Sequence, residues 1–350
     1  MNAGLLVLAV GFGEILEGED FRKGQYAKAS AGGGVFIRSR FEASDFREAD
    51  LRETVFDRCD LSGAMFTGAN LRGAVFNQCT LDHTDLRETN LHGATFSECR
   101  LPHAQFAGAW LGMATFSQSL LDHAGMPQAQ LDGTVFSQSS LVDVNADHGA
   151  WIGTSFTQCD LRHLTWAGVR MQRVVFHCTA LQGHRFDGLS LEGCQFAHAD
   201  LSQASFEGAG LVQCNFQGAT LDAAVFSRAH GSHVLFCEAA GRGARFEGAR
   251  LRQSLFTGAV LPGALFDGAD LFQCHFAGAQ LPEASLRDCQ LQEADLSHAD
   301  LSRADLRGAS MGRTRLHRAR TDDARMPDAA RALGTDDELA AAEDWRPMPA

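Results

Sequence analysis

From Phe41 to Met326 every fifth residue is large and apolar, beginning Phe41, Phe46, Leu51, Phe56, Leu61, and the register never slips. Of these 58 positions, 27 hold Leu, 21 Phe, four Met and two Trp; the exceptions are Ala146, Gly231, Gly241 and Thr321. Two residues before each one, 51 of 58 positions hold Ala, Ser, Thr, Cys or Gly. A period of five matches neither the 3.6 of a helix nor the 2 of a flat strand. It suits a chain that turns a corner every five residues, with one large and one small side chain inward and three outward. An internal repeat of this kind governs the reading of the rest of the sequence.

Taken at intervals of twenty, one series is all phenylalanine: Phe56, Phe76, Phe96, Phe116, Phe136, Phe156, Phe176, Phe196, Phe216, Phe236, Phe256 and Phe276. Cys59, Cys79, Cys99 and Cys159 share another phase. Four pentapeptides therefore make one coil, and this Phe series forms a core stack. Coils stacked at about 4.8 Å, roughly 14 of them, predict a rod on the order of 70 Å long. Stacking satisfies each backbone from the coils above and below, leaving open edges only at the ends. The glycines two after a corner, such as Gly68, Gly108 and Gly168, sit where a turn favours positive φ.

Tracts such as Ala69-Asn70-Leu71-Arg72-Gly73 and Ala299-Asp300-Leu301-Ser302-Arg303 resemble the pentapeptide-repeat family, whose motif is A(D/N)LXX. The resemblance covers 41–326. It implies an all-β fold, a right-handed quadrilateral β-helix, which is the source of the expected handedness.

The ends depart from the rule. Phe21, Tyr26 and Phe36 keep the register, whereas Ala31-Gly32-Gly33-Gly34 breaks it, so residues 1–40 read as an N-terminal cap plus one imperfect coil. Residues 327–350 read as a short helical C-terminal cap. Pro327 opens one short helix that Gly334 closes, Thr335-Asp336-Asp337-Glu338 forms a capping box, and Pro347 stops the second helix. Leu339 and Trp345 are expected to lid the last coil. The acidic tail is expected to fold back on Arg303, Arg307, Arg313, Arg315, Arg318, Arg320 and Arg325; the alternative is a docking end for an acidic partner. Between 141 and 189, bulky Val144, Leu164, Val169, Val174, His184 and Leu189 take small-residue positions beside Ala146, Trp151, Trp166 and Met171, which reads as compensated repacking. Gly231 and Gly241 remove two corner leucines and predict a bend or a cavity.

Composition now has an address. The chain of 350 residues holds 25 Phe but one Tyr, because a buried phenol would need a partner that a stacked phenyl ring does not. The net charge is −13, which argues against direct nucleic-acid binding through a basic surface. No apolar run approaches the length of a membrane span, and the expected location is the cytoplasm.

Candidate chemistry is sparse. His83, His103, His123 and His163 share an outward phase, with Asp143 in the gap and Asp82 and Asp122 alongside. Such a column is a candidate zinc site or a plain side-chain ladder. Parallel neighbours do not readily surround a metal tetrahedrally, so the ladder is preferred and no metal is expected. Eight of ten cysteines (59, 79, 99, 159, 194, 214, 274 and 289) take the small inward position and read as reduced structural thiols; Cys178 and Cys237 point outward. No phosphate-loop, HExxH or GxSxG motif occurs, and neither catalytic residues nor a cofactor is expected.

The expected function is a non-enzymatic interaction scaffold that presents flat faces to protein partners. Leu235, Leu255, Val260 and Leu265 are the candidate contact face, compatible with a homodimer. Long loop-free tracts of this kind resemble pentapeptide proteins of bacterial type VI secretion systems, which implies an accessory role. The family also contains DNA mimics that protect gyrase from quinolones or toxins. Residues 41–326 carry 33 acidic and 23 basic residues, a net of −10, far sparser than a duplex with one charge per about 1.7 Å.

Overall fold

At most corners the chain makes the same local choice. Leu61 points inward, and its carbonyl accepts a hydrogen bond from the Ala64 N–H at 2.9 Å. Gly63, the third residue of that turn, has φ +65°, the arrangement of a type II turn. Every described residue with positive φ except Gly13, which follows the N-terminal helix, lies in this phase, two after a corner. Forty of them are not glycine, and eight of the chain's 14 histidines are among them. A side chain there stands straight out from the wall, at a conformational cost of roughly 1–2 kcal/mol per residue.

The computed structural model describes residues 2–326 and 329–345, which fall into two compact units divided after Ala180. Both are four-sided parallel β-solenoids in which residues twenty apart pair. In the first unit one side is a nine-stranded parallel sheet. Its strands are β1 (Ile15–Glu17), β2 (Val35–Ile37), β3 (Val55–Asp57), β4 (Val75–Asn77), β5 (Thr95–Ser97), β6 (Thr115–Ser117), β7 (Val135–Ser137), β9 (Ser155–Thr157) and β11 (Val175–His177). Phe36 pairs with Phe56, Phe56 with Phe76, and so on to Phe156 with Phe176. Apart from one two-stranded pair, the other sides pair through single residues, such as Asp60 with Thr80, Met65 with Asp85 and Asn70 with Asn90. In the second unit all four sides pair this way, as in Ser205–Val225, Gly210–His230, Asn215–Leu235 and Thr220–Ala240.

The core is a set of side-chain columns. The twelve phenylalanines from Phe56 to Phe276 are all buried. In the first unit, rings from Phe56 to Phe176 stack at 4.6–5.5 Å. In the second, Phe196 to Phe276 stack at 4.5–4.9 Å, beside a parallel column from Phe186 to Phe266. The two columns meet edge to face, as at Phe216–Phe226, 5.3 Å and 89°. Offset stacking along a column and T-shaped contact between columns are the two arrangements that ring quadrupoles favour.

The irregular stretches resolve into local adjustments. Trp151 is fully buried, and Gly149 makes room for it: a Cβ there would lie 3.1 Å from Trp151 Nε1 and 3.0 Å from the Ala129 carbonyl. Here two coils exchange their turn for strand, and β8 (Ala150–Ile152) pairs with β10 (Arg170–Gln172). At Gly231 and Gly241 the missing leucines are replaced by close backbone approach. A Cβ at Gly231 would lie 2.8 Å from the Leu211 carbonyl carbon, and one at Gly241 would lie 2.7 Å from Leu221 Cβ and from its carbonyl oxygen. The wall moves in and fills the space.

Coil geometry begins at Ile15, upstream of Phe41, and is covered by α1 (Ala3–Gly11). The glycine run serves that cover: a Cβ at Gly34 would sit 3.1 Å from Val10 Cγ2 of α1. At the other end, a 3-10 turn at Ala329–Arg331 delivers Leu333 to pair with Arg315, a separation of 18 residues, short of the usual twenty. The second helix, α2, is Asp337–Asp344. Its cap is Asp336, one residue later than the Thr335 expected. The Asp336 carboxylate accepts from the N–H groups of Glu338 and Leu339, while the Thr335 hydroxyl accepts from the Arg318 N–H at 3.3 Å. Leu339 and Trp345 do not form the expected lid, being 48% and 72% exposed. Pro327 and Pro347 lie outside the described residues.

Candidate functional site

The repeat motif explains its own polar residues. In Asp45-Phe46-Arg47 the buried Asp45 carboxylate accepts from the Arg47 N–H at 3.1 Å and from its guanidinium at 2.7 and 2.9 Å. Asp50–Arg52, Asp85–Arg87, Asp160–Arg162 and Asp305–Arg307 repeat the arrangement. In Asp60-Leu61-Ser62 and Asp300-Leu301-Ser302 the serine supplies both donors. A short acceptor just before the corner thus ties down the N–H just after it. The arginine guanidinium holds each of these carboxyls below the usual range, Asp305 at about 2.

The thiols have a structural task. On the strand side the wall lacks the turn bond found at Leu61–Ala64, which leaves a carbonyl and an N–H to satisfy. The Sγ of Cys59, Cys79, Cys99 and Cys159 donates to the carbonyls of Phe36, Phe56, Phe76 and Phe136 at 3.2–3.4 Å. Ser119 and Ser139 do the same with Phe96 and Phe116. The same side chains accept from the coil below, as Cys79 Sγ does from the Cys59 N–H at 3.4 Å and Ser119 Oγ from the Cys99 N–H at 3.1 Å. None of the ten cysteines is in a disulfide; Cys178 is exposed and Cys237 partly so. Burial pushes Cys274 and Cys289 up to about 12.

Outside, positive-φ side chains stand in ladders. His83 stacks on His103 at 4.7 Å and 6°, and His103 on His123 at 5.1 Å and 10°. His123 Nδ1 lies 3.7 Å from Asp143 Oδ2. Face-to-face rings turn their nitrogens side by side, the geometry of a ladder and not of a tetrahedral cage. On the neighbouring side Gln118, Gln138 and Gln158 are linked amide to amide at 3.2 and 3.1 Å, and Gln78 joins Arg58 to Glu98. Beside them run the part-buried Ser97, Ser117, Ser137 and Thr157, in register on β5, β6, β7 and β9. This flat polar side, preset by its own hydrogen bonds, is the candidate functional surface of the first unit.

Leu235, Leu255, Val260 and Leu265 are each half-buried. Leu235 and Leu255 share a column, whereas Val260 and Leu265 pair into two others, with Ala240 and Arg245. They do not make one face, because residues five apart fall on successive sides of the coil.

One histidine cluster was not legible in the sequence. His298 Nε2 and His317 Nε2 approach the two Glu343 carboxylate oxygens at 3.2 and 3.3 Å, and Arg318 Nε lies 3.3 Å from the second oxygen. The residue types suit a metal. However, the Asp336 N–H donates to His317 Nδ1 at 3.1 Å. A neutral imidazole with Nδ1 accepting carries its proton on Nε2, so that nitrogen donates to Glu343 and is not a free ligand. The cluster is a clasp that docks α2, with Arg318 also bridging to Asp344 and the Ala340 carbonyl. Of the expected arginines, Arg318 alone among the described residues pairs its side chain with acids of the tail, while Arg313 and Arg315 meet it through the backbone. Arg303, Arg307 and Arg315 pair with Glu283, Asp305 and Asp295 of the repeats, and Arg320 with Asp300 and Asp322.

No described helix is long and apolar enough to cross a membrane. The family model described as a pentapeptide repeat region matches residues 50–126 and 189–266, and the one described as pentapeptide repeats (8 copies) matches 251–288 and 284–320. No curated protein matches the chain by sequence. Among solved structures, the chain is similar to HetL, a pentapeptide repeat protein involved in heterocyst differentiation regulation from Nostoc sp. strain PCC 7120. That match has 25% identity, covers 71% of this chain and 92% of HetL, and has a TM-score of 0.22. It is also similar to QnrB1, a plasmid-mediated fluoroquinolone resistance protein, at 22% identity over 47% of this chain and 94% of the other, TM-score 0.25. A third is a pentapeptide repeat protein of the Arabidopsis thaliana thylakoid lumen, at 23% identity, 37% and 68% coverage and TM-score 0.15.

Proposed function

The chain belongs to the pentapeptide-repeat family, and on that premise we propose that it works as a non-enzymatic protein–protein interaction scaffold. The observation that carries this reading is the preset polar side of the first unit. There the glutamine ladder is fixed by its own hydrogen bonds before any partner arrives, beside a part-buried serine column set in register by the strands. A surface already ordered loses little side-chain entropy on binding, so its contacts convert more fully into affinity. Within this reading the chain is an accessory or adaptor of a bacterial type VI secretion system, the role suggested by its long loop-free tract. It works in the cytoplasm, a reducing compartment that keeps the Cys59–Cys79–Cys99 thiols available as donors.

The test is affinity capture from the native host with wild-type protein and with Ser117→Arg/Ser137→Arg, whose fold is checked by circular dichroism. Saturable binding of a secretion-spike component, lost in the variant, supports the reading. Equal retention by both proteins counts against the face, and a partner outside the secretion apparatus counts against the adaptor role.

The second reading, a gyrase-binding DNA mimic, draws on the acidic balance of the chain. Arginines two residues on occupy Asp45, Asp50, Asp85 and Asp160, which leaves those carboxylates poor stand-ins for free phosphates. A supercoiling assay with quinolone decides it: protection of gyrase at micromolar protein would favour mimicry over the scaffold.

A further inference from the structure

The N-terminal cap carries a second kind of surface. On its inner side α1 buries Leu6 and Ala9 and sets Val10 over Gly34. On its outer side Leu5, Leu8 and Phe12, spaced i, i+3 and i+7, are 55%, 56% and 80% exposed, and Ile15 of β1 beside them is 62% exposed. Together they leave bare roughly 400–500 Å² of apolar surface, the scale of the largest such patch on a monomer, which is often functional. The helix has no polar face at all, and a helix apolar on every side is one that is covered on every side.

Charge decides among the covers. An interfacial helix that lies on an anionic membrane needs Lys or Arg along its flanks. Residues 1–21 contain none, and instead carry Glu14, Glu17, Glu19 and Asp20. The macrodipole is also uncompensated: the first turn holds no acid and the last turn no base. Glu14 follows directly on the negative C-terminal end, where it is repelled.

We propose that α1 is the seam of a twofold dimer of this chain, two α1 helices packing antiparallel about Leu8 and Phe12. In that arrangement each copy's positive helix N-terminus lies against the partner's helix C-terminus and Glu14, which corrects both unfavourable ends at once. The contact is isologous, so one apolar patch serves both sides. It buries roughly 900 Å² in total, below the roughly 1,200 Å² at which stable interfaces begin and within the range of weak, transient contacts, so the dimer is weak and dependent on concentration.

Sedimentation equilibrium of the full chain from about 1 to 300 μM, a range bracketing a weak contact, tests it. The wild type dimerises within that range. Phe12→Glu and Leu8→Glu weaken dimerisation at least tenfold, while Leu235→Glu/Leu255→Glu leaves it unchanged. Phe12→Ala, at a position already exposed, gives the same direction with no risk to folding. A wild type that stays monomeric throughout overturns the proposal, as does a dimer that survives Phe12→Glu. Flotation with phosphatidylserine vesicles distinguishes the other cover: Phe12-dependent binding of vesicles by a monomeric protein also overturns it.

Discussion

Cys79 shows how much chemistry a pentapeptide wall asks of one small side chain. It donates to the Phe56 carbonyl and accepts from the Cys59 N–H, while its own size is set by the core. Serine does the same work at 119 and 139. Cys79→Ser is therefore expected to be near neutral, and Cys79→Ala to cost about 1–2 kcal/mol in urea unfolding, because it orphans a buried carbonyl and N–H. That these cysteines are inward and reduced was readable from their phase. Why the strand side prefers Cys and Ser to Ala was not, since the missing turn bond appears only once the coil is closed. The Asp45–Arg47 type of pair sets the acid limit. These carboxyls are depressed when folded, so their contribution is complete above the ordinary carboxylate range near pH 4. It is lost as pH falls through the lower folded values. Unfolding free energy is expected to be flat from pH 7 to about 5 and to fall below about 4, and Arg47→Gln should move the fall to higher pH.

At the scale of elements, the two ends are where sequence reasoning and structure part company. The strict period locates the coils, but a cap has no period to read. Gly32-Gly33-Gly34 looks like an interruption until Val10 is seen against Gly34. Thr335-Asp336-Asp337-Glu338 satisfies the capping-box pattern from Thr335, yet Arg318 claims that hydroxyl and Asp336 caps the helix instead. The apolar lid drawn from Leu339 and Trp345 is replaced by a polar clasp, because Glu343 has His298, His317 and Arg318 to meet. Glu343→Gln removes the charge that holds them. It is expected to release α2 and speed proteolysis after Arg331 severalfold, while Trp345→Ala leaves the digestion pattern unchanged. The Glu343 carboxyl is lowered despite its desolvation, by hydrogen bonds from His317 and His298. The clasp therefore holds at neutral pH and opens as pH falls through that lowered value.

At the scale of the whole molecule, each unit is a set of coils that touch only their neighbours, so stability is close to a sum of nearest-neighbour terms. The register carries that sum, and it was legible from 25 Phe, one Tyr and a period of five. The faces were less so: the pattern says which side chains point out but not that Gln118, Gln138 and Gln158 lock together, or that Leu235 and Val260 fall on different sides. A partner leaves no period at all, since a binding face differs from a solvated one only in which polar groups it offers. The register itself is tested most directly by one comparison, urea unfolding of Phe156→Asp and Ser137→Asp followed by circular dichroism. Phe156 is buried between Phe136 and Phe176, whereas Ser137 ends a strand on the outer wall. The account predicts a loss of at least about 3 kcal/mol for Phe156→Asp, from the cavity and the unpaired buried charge, and less than about 0.5 kcal/mol for Ser137→Asp. Equal stability of the two proteins would contradict it.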